Sequence, residues 1–588
     1  MKRFLMALAG LALIAIGSLF GLARSPDTPR DIVFVNGTIR TVSGAGTVEA
    51  LWVHEGRIAA LGDRADILAS APPGARHVDL DSGTLTPGLI EPHTHPLAAA
   101  LLGTAVDISG RSTGSREAAM ARLAEAADAG GLSPWLIGFG WDPVMLDAMT
   151  PPTLDELDTI APERPLVILT QMMHEAFANS AALAAAGIDA RTPDPADGFF
   201  ERDENGALTG RVVEVSAVST LMAGIPQASP QALDFLLADA YDRYARSGYT
   251  TIGIASLVGR AADPLAVLAD IANAPHPGLN SVLYTAPDRF ADAQGLFDPA
   301  DPATAIRRVA GIKLWLDGSP FAGGAAVDLP YEDNAFTREV MGLPGDWRPP
   351  LARRRDDVFA RLAEAQTGGY PVAMHVQGER AIDLALDAIE AAQTAHPRPG
   401  LHHRLEHLAL ITPQQIERAQ ALGVSLGFFP EHIASYGHRL PVLFGEDRAA
   451  RYMPIADAVD NGAVVTLHGD HPASTIDAMR VMSIPVQRRT LDGTVLGRPV
   501  PAETALYLMT MGAARQLGIE AETGSLEIGK RADLTWFDTD PVAAIDDGRT
   551  ATVRGTWLSG HPVDTRPGRL ARIRRMLAAA WGQATQAG

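Results

Sequence analysis

Along the chain the spacing of apolar positions changes period. Near the amino end they come in short runs: Ile32–Val35, Gly37–Val42 and Ala50–Ala60, the last interrupted by Glu55-Gly56. Runs this short, bounded by turn residues, predict strands and a hairpin that reverses at Glu55-Gly56. Comparable runs return only near the other end, at Ala532–Phe537 and Ala551–Leu558. The two half-sets predict one small composite β-sandwich drawn from residues 31–84 and 520–565.

Between them, eight short apolar runs alternate with segments of helical spacing. The runs are Leu89–Pro92, Thr250–Ala255, Ser281–Thr285, Ile312–Leu316, Val372–His375, Arg404–His407, Val424–Phe428 and Val464–Leu467. Helical spacing marks Pro230–Ser247, Asp356–Thr367, Glu379–Ala395 and Pro413–Leu422. Such alternation predicts an α/β fold, a (β/α)8 TIM-type barrel over residues 85–519, with its site at the C-terminal strand ends. Residues 100–235 are too many for one helix and loop, so they predict an inserted lid subdomain over the barrel mouth. Turn residues cluster there at Asp194–Gly198 and Asp203–Gly206, and residues 566–588 predict a closing amphipathic helix.

The first 25 residues follow another pattern. Met1-Lys-Arg precedes an uncharged apolar run from Phe4 to Leu22 and then Ala23-Arg24-Ser25-Pro26. This is the layout of a signal peptide, and the run is also just long enough for an uncleaved membrane anchor. Both readings predict export, to the periplasm or to the inner membrane facing it.

Composition removes several classes. A formal charge of −20 argues against nucleic acid as a partner. With no cysteine, there are no disulfides, thiolate ligands or Cys nucleophile, and no lipoprotein attachment. A small-molecule substrate is the expected partner, and a homo-oligomer is left open. Among 49 Lys+Arg only Lys2, Lys313 and Lys530 are lysines, so a lysine inside an apolar strand is informative.

Candidate chemistry falls at the strand ends. The first run leads into His93-Thr-His95; positions two apart share a strand face, as two imidazoles on one metal require, although two ordinary loop histidines give the same spacing. The fourth carries Lys313 and Asp317, the fifth ends at His375, the sixth at His407, and the eighth leads to Asp470. Nitrogen and oxygen donors without sulfur suit one or two Zn²⁺ or similar divalent ions. A buried neutral lysine reacts with CO2 to give a carbamate able to bridge two cations, which arginine cannot do; the plainer alternative is a core lysine paired with Asp317. Asp470 is placed to carry the proton from an activated water to the leaving nitrogen.

These motifs together resemble the amidohydrolase superfamily, and within it the amidohydrolase 3 branch that includes N-substituted formamide deformylases. The matching stretches are Pro87-Gly88…His93-Thr-His95-Pro96, Trp135…Gly140-Trp141, His174…Asn179-Ser180 and Lys313…Asp317-Gly318. They continue with His375…Asp383, Arg404…Glu406-His407, Gly469-Asp470…Pro472 and Gly524-Ser-Leu…Asp533-Leu534. The resemblance implies a metal-dependent barrel that hydrolyses C–N bonds of non-peptide amides, with a fourth-strand lysine often carboxylated. It makes His174 a candidate substrate contact; His432 at the end of the seventh run, Trp141 as an apolar wall, and His471 beside Asp470 are further candidates. Three segments depart from the branch. His468-Gly469-Asp470-His471-Pro472 stands where Gly-Ser-Asp-x-Pro is usual, Glu91-Pro92 where Asp-Ser or Asp-Ala is common, and Gln377-Gly378-Glu379 where a Gly-Asp pair is usual. The expected reaction is attack of metal-held hydroxide on a linear or N-substituted amide. A deaminase of a cyclic nitrogen compound, a lactonase or esterase, and a non-catalytic envelope ligand-binding barrel are the alternatives.

Overall fold

The computed structural model describes residues 29–563, apart from 130–132, 148, 196–197, 260, 274–277 and 297–307, together with 576, 577 and 579. The predicted leader, and all but three positions of the predicted closing helix, lie outside the described residues.

Eight parallel strands form one sheet in chain order: Leu89–Thr94, Tyr249–Ala255, Asn280–Thr285, Arg308–Trp315, Val372–Val376, Arg404–His407, Ser425–Phe428 and Val465–Leu467. Their apolar, β-branched composition suits strands covered on both faces; all seven residues of Tyr249–Ala255 are buried. Helices such as Pro230–Arg246, Arg355–Gly368, Glu379–Ala395 and Pro413–Ala421 follow the expected segments within a residue or two. Thr412 begins the last with a reciprocal capping box to Gln415.

The barrel closes without a backbone ladder between its first and eighth strands, the two ends of the sheet order. Single ties cross this seam instead: the His95 N–H donates to the His471 carbonyl at 3.0 Å, and the Gly469 N–H to Glu91 Oε2 at 2.8 Å. At the other end of the strands, the Ile90 N–H donates to the Met509 carbonyl.

Two further sheets flank this end. Ala50–His54, Arg57–Gly62, Asp31–Val35 and Arg76–Asp79 make one, with Glu55 (φ 48°) and Gly56 (φ 78°) turning the hairpin. In the other, Leu534–Phe537 pairs antiparallel with Thr84–Pro87, joining strands from both ends of the chain. Phe34, Leu51, Leu85, Leu534 and Trp557 pack between the two sheets.

The insert builds a six-stranded sheet between Val106 and Val213, with its own apolar clusters. It is tied to the barrel mouth through Glu431, which accepts from Arg111 of the insert (2.6 Å) and from Arg480 (2.8 Å). The Tyr436 hydroxyl also donates to Asp142 of the insert. Among the described residues no helix is long and apolar enough to cross a membrane.

Candidate functional site

Strand periodicity sets His93 on the inner side of the first strand, completely buried. Its Nδ1 lies 2.9 Å from Glu406 Oε2. A carboxylate only accepts, so Nδ1 carries the proton and Nε2 keeps its lone pair. Glu406 is itself held by Arg404, whose other arm donates to the Pro92 carbonyl at 2.8 Å. Room for this carboxylate inside the barrel comes from Gly427, where a Cβ would fall 2.5 Å from Glu406 Oε2.

Around His93 Nε2 the other predicted groups converge. Lys313 Nζ lies 3.2 Å away and Asp470 Oδ1 3.5 Å. Asp470 Oδ1 is also 3.2 Å from His95 Nε2, and its Oδ2 is 4.0 Å from His407 Nδ1. Donor atoms of His93, His95 and Asp470 all lie within 4.8 Å of one another. His375 and His407 form a second pair with ring centroids 4.3 Å apart, and His407 stands 4.8 Å from the His93 ring. The structure thus brings His93, His95, Lys313, His375, His407 and Asp470 to one rim.

Among the predicted groups, two buried imidazole nitrogens, His375 Nε2 and His407 Nδ1, have no hydrogen-bond partner. Buried donors and acceptors are rarely left unpaired. Orphaned imidazole nitrogens beside a carboxylate and a buried amine are a donor set that fits a divalent cation. A second triplet, His93, Glu406 and His468, is also close enough. Arg404 already occupies Glu406, so the first set is the candidate centre and Glu406 orients His93.

Burial dominates the electrostatics. It drives His93, His375 and His407 well below the ordinary histidine range, with Lys313 adding to the shift in all three. Neutral imidazoles are what a cation needs. Burial also lowers the Lys313 ammonium to about 8, against the opposing pull of Glu406 and Asp470. Asp470 shows the reverse balance: burial pushes its carboxyl up, but His95, His468 and Lys313 together hold it well below the usual range.

The remaining candidates separate. His174 reaches from the insert toward the fourth-strand loop, 3.6 Å from where a Gly318 Cβ would stand, and its Nδ1 lies 3.0 Å from Glu214 Oε2. His432 is buried with Nδ1 3.0 Å from the Tyr452 hydroxyl, edge-on to Phe321. His471 uses Nδ1 on the Ser474 carbonyl at 2.8 Å. His468 is stacked between His93 and Phe429, with both ring nitrogens unpartnered. Trp141 is not at an open wall: it is fully buried in the insert's core against Phe177, with Arg116 over its ring. Asp317 does not pair with Lys313 either. Its carboxylate accepts the N–H groups of Ala326, Gln377 and Gly378 at 2.8–3.1 Å, and burial raises it to about 7. Glu91 marks a departure from the branch and Glu406 lies in a matching stretch, but neither signal shows which backbone or imidazole groups these carboxylates hold.

An eight-stranded parallel barrel with such a donor set at its C-terminal rim is the architecture of the metal-dependent barrel hydrolases. The amidohydrolase family model matches residues 76–564, and the chain belongs to that family. It is 29% identical over 545 residues to N-substituted formamide deformylase of Arthrobacter pascens, covering 90% of this chain and 98% of that protein. Protein LONG AFTER FAR-RED 3 of Arabidopsis thaliana is 24% identical over 547 residues, covering 90% and 91%. Among solved structures, an uncharacterized metal-dependent hydrolase from Pyrococcus horikoshii shares the fold with a TM-score of 0.68 and 23% identity, over 88% of this chain and 99% of that one. The protein is therefore an enzyme, a metal-dependent hydrolase of carbon–nitrogen bonds.

Proposed function

We propose that the enzyme hydrolyses N-substituted amides of the formamide type, with Asp470 as the proton carrier. The deformylase relative supports the substrate class. The observation that carries the role of Asp470 is its placement: Oδ1 is buried 3.2 Å from His95 Nε2 and 3.5 Å from His93 Nε2, just past the end of the eighth barrel strand. His93, His95, His375 and His407 would hold the cation or cations, with Lys313 between the two histidine sets. When bound, the metal polarises the amide carbonyl and lowers the pKa of water beside it.

The chain supplies the rest. Asp470, ionised at neutral pH, takes the proton from the attacking water and returns it to the leaving nitrogen, which departs as the amine. Glu406 fixes the His93 tautomer so that Nε2 faces the site. Lys313, with its ammonium lowered to about 8, is neutral in roughly a tenth of molecules at pH 7. That neutral amine adds to the carbon of CO2 and releases a proton, leaving a carbamate.

Asp470→Asn keeps the size of the side chain and removes its basicity. Turnover of a formamide such as formanilide should fall by about a thousandfold or more, with metal content unchanged. Near-parental release of aniline by that variant would refute the assignment.

A further inference from the structure

Asp470 is held in an unusual way. Its backbone has φ 51°, the left-handed region that a non-glycine residue occupies only when its surroundings fix it. Both of its neighbours are gripped by the first barrel strand, which carries His93, and by His95 just past its end. On one side the Gly469 N–H donates to Glu91 Oε2 at 2.8 Å. On the other, the His471 carbonyl accepts the His95 N–H at 3.0 Å and the Thr94 hydroxyl at 3.1 Å. Glu91 is fully buried, and its second oxygen accepts the His93 N–H at 3.2 Å. One carboxylate therefore touches the backbone of His93 and the residue before Asp470.

Gly469 is glycine for a reason of space. Its backbone is outside the left-handed region, so any residue could adopt it, but a Cβ there would stand 3.1 Å from Glu91 Oε2 and 3.1 Å from the Thr475 carbonyl. The side chain at 91 and the missing side chain at 469 are fitted to each other. Because no ladder joins the first and eighth strands, this contact does across the seam what strand pairing does elsewhere in the barrel. An aspartate at 91 would fall short by about 1.5 Å, the length of one carbon–carbon bond.

We propose that Glu91 is a positioning residue which, matched to Gly469, bridges the open seam of the barrel and sets the Asp470 carboxylate against the His93–His95 pair. The proposal rests on the reading of Asp470 as the proton carrier.

The test is a double-variant cycle in the metal-loaded enzyme: Glu91→Asp, Gly469→Ser and the two combined. In the combined variant the serine hydroxyl replaces the missing reach by donating to the shortened carboxylate. Two readouts are taken: hydrogen–deuterium exchange of the peptide containing Gly469, without substrate, and kcat and KM on formanilide. Glu91→Asp should speed exchange at Gly469 and lower kcat, each about tenfold or more, with KM and metal content as in the parent. Gly469→Ser alone should lower kcat similarly, and the combined variant should recover both readouts to within about threefold. Unaltered exchange in Glu91→Asp, or simply additive losses in the combined variant, would overturn the proposal. Loss of metal in step with kcat would overturn it too, because the effect would then run through His93. Should Glu91→Asp not fold, Glu91→Gln keeps the volume and one acceptor, and the same faster exchange is expected at a melting temperature near the parent's. Activity retained in Asp470→Asn would sink the proton-carrier reading while leaving the exchange result intact, so the two failures are told apart.

Discussion

Single residues show how burial sets chemistry in this protein. His403 gives a clear case away from the site. Its Nδ1 accepts the Val372 N–H at 3.1 Å, so the proton sits on Nε2, which donates to Gln366 Oε1 at 2.9 Å. Burial lowers its pKa from 6.5 to about 4. Protons then bind the unfolded chain more tightly than the folded one. Stability from this residue is complete above pH 6.5 and is lost as pH falls toward 4, by roughly 3 kcal/mol in all. Urea midpoints at pH 7.5 and pH 5 should therefore differ less in His403→Gln than in the parent. The candidate ligands were legible because chemistry marks them in the sequence: a His-x-His at a strand end, and one of only three lysines inside an apolar strand. Glu91, Glu406 and Asp317 were not, since their value lies in backbone N–H groups and tautomers supplied by other strands. Trp141 misled because an indole in a Gly-Trp motif suits an apolar wall and a core equally, and only packing against Phe177 decides.

At the scale of elements, periodicity carried nearly all of the barrel. Each of the eight expected strands is present, because strands buried on both faces leave continuous apolar runs. Boundaries moved where side chains did not mark them: the fourth strand begins at Arg308, ahead of its apolar run. What the pattern could not show is how elements grip one another. The insert is held at the mouth by the buried Glu431, shared between Arg111, Arg480 and Ser435. Glu431→Ala removes the acceptor shared by Arg111 and Arg480, and because both guanidinium groups are partly exposed a loss of about 1 kcal/mol is expected. Limited proteolysis should then cut the insert between residues 104 and 222 faster than the barrel. Equal protection of the insert in parent and variant would show that other contacts hold it.

For the whole molecule, the two ends of the chain meet in one sheet through the pairing of Thr84–Pro87 with Leu534–Phe537. The sequence foreshadowed this, because outside the strand–helix alternation the clearest strand runs lie toward its two ends, at residues 32–60 and 532–558. The seam between the first and eighth strands was not foreshadowed, since no local pattern reports whether two remote strands pair. Asp470, with its left-handed backbone, meets His93 and His95 at that seam. The most direct test of the account is metal content of the purified protein loaded with zinc in the presence of CO2, alongside Lys313→Ala. Two ions per chain in the parent, and fewer in the variant, are the predicted result. Equal metal in both proteins, or none in either, would contradict a centre in which Lys313 joins the two histidine sets.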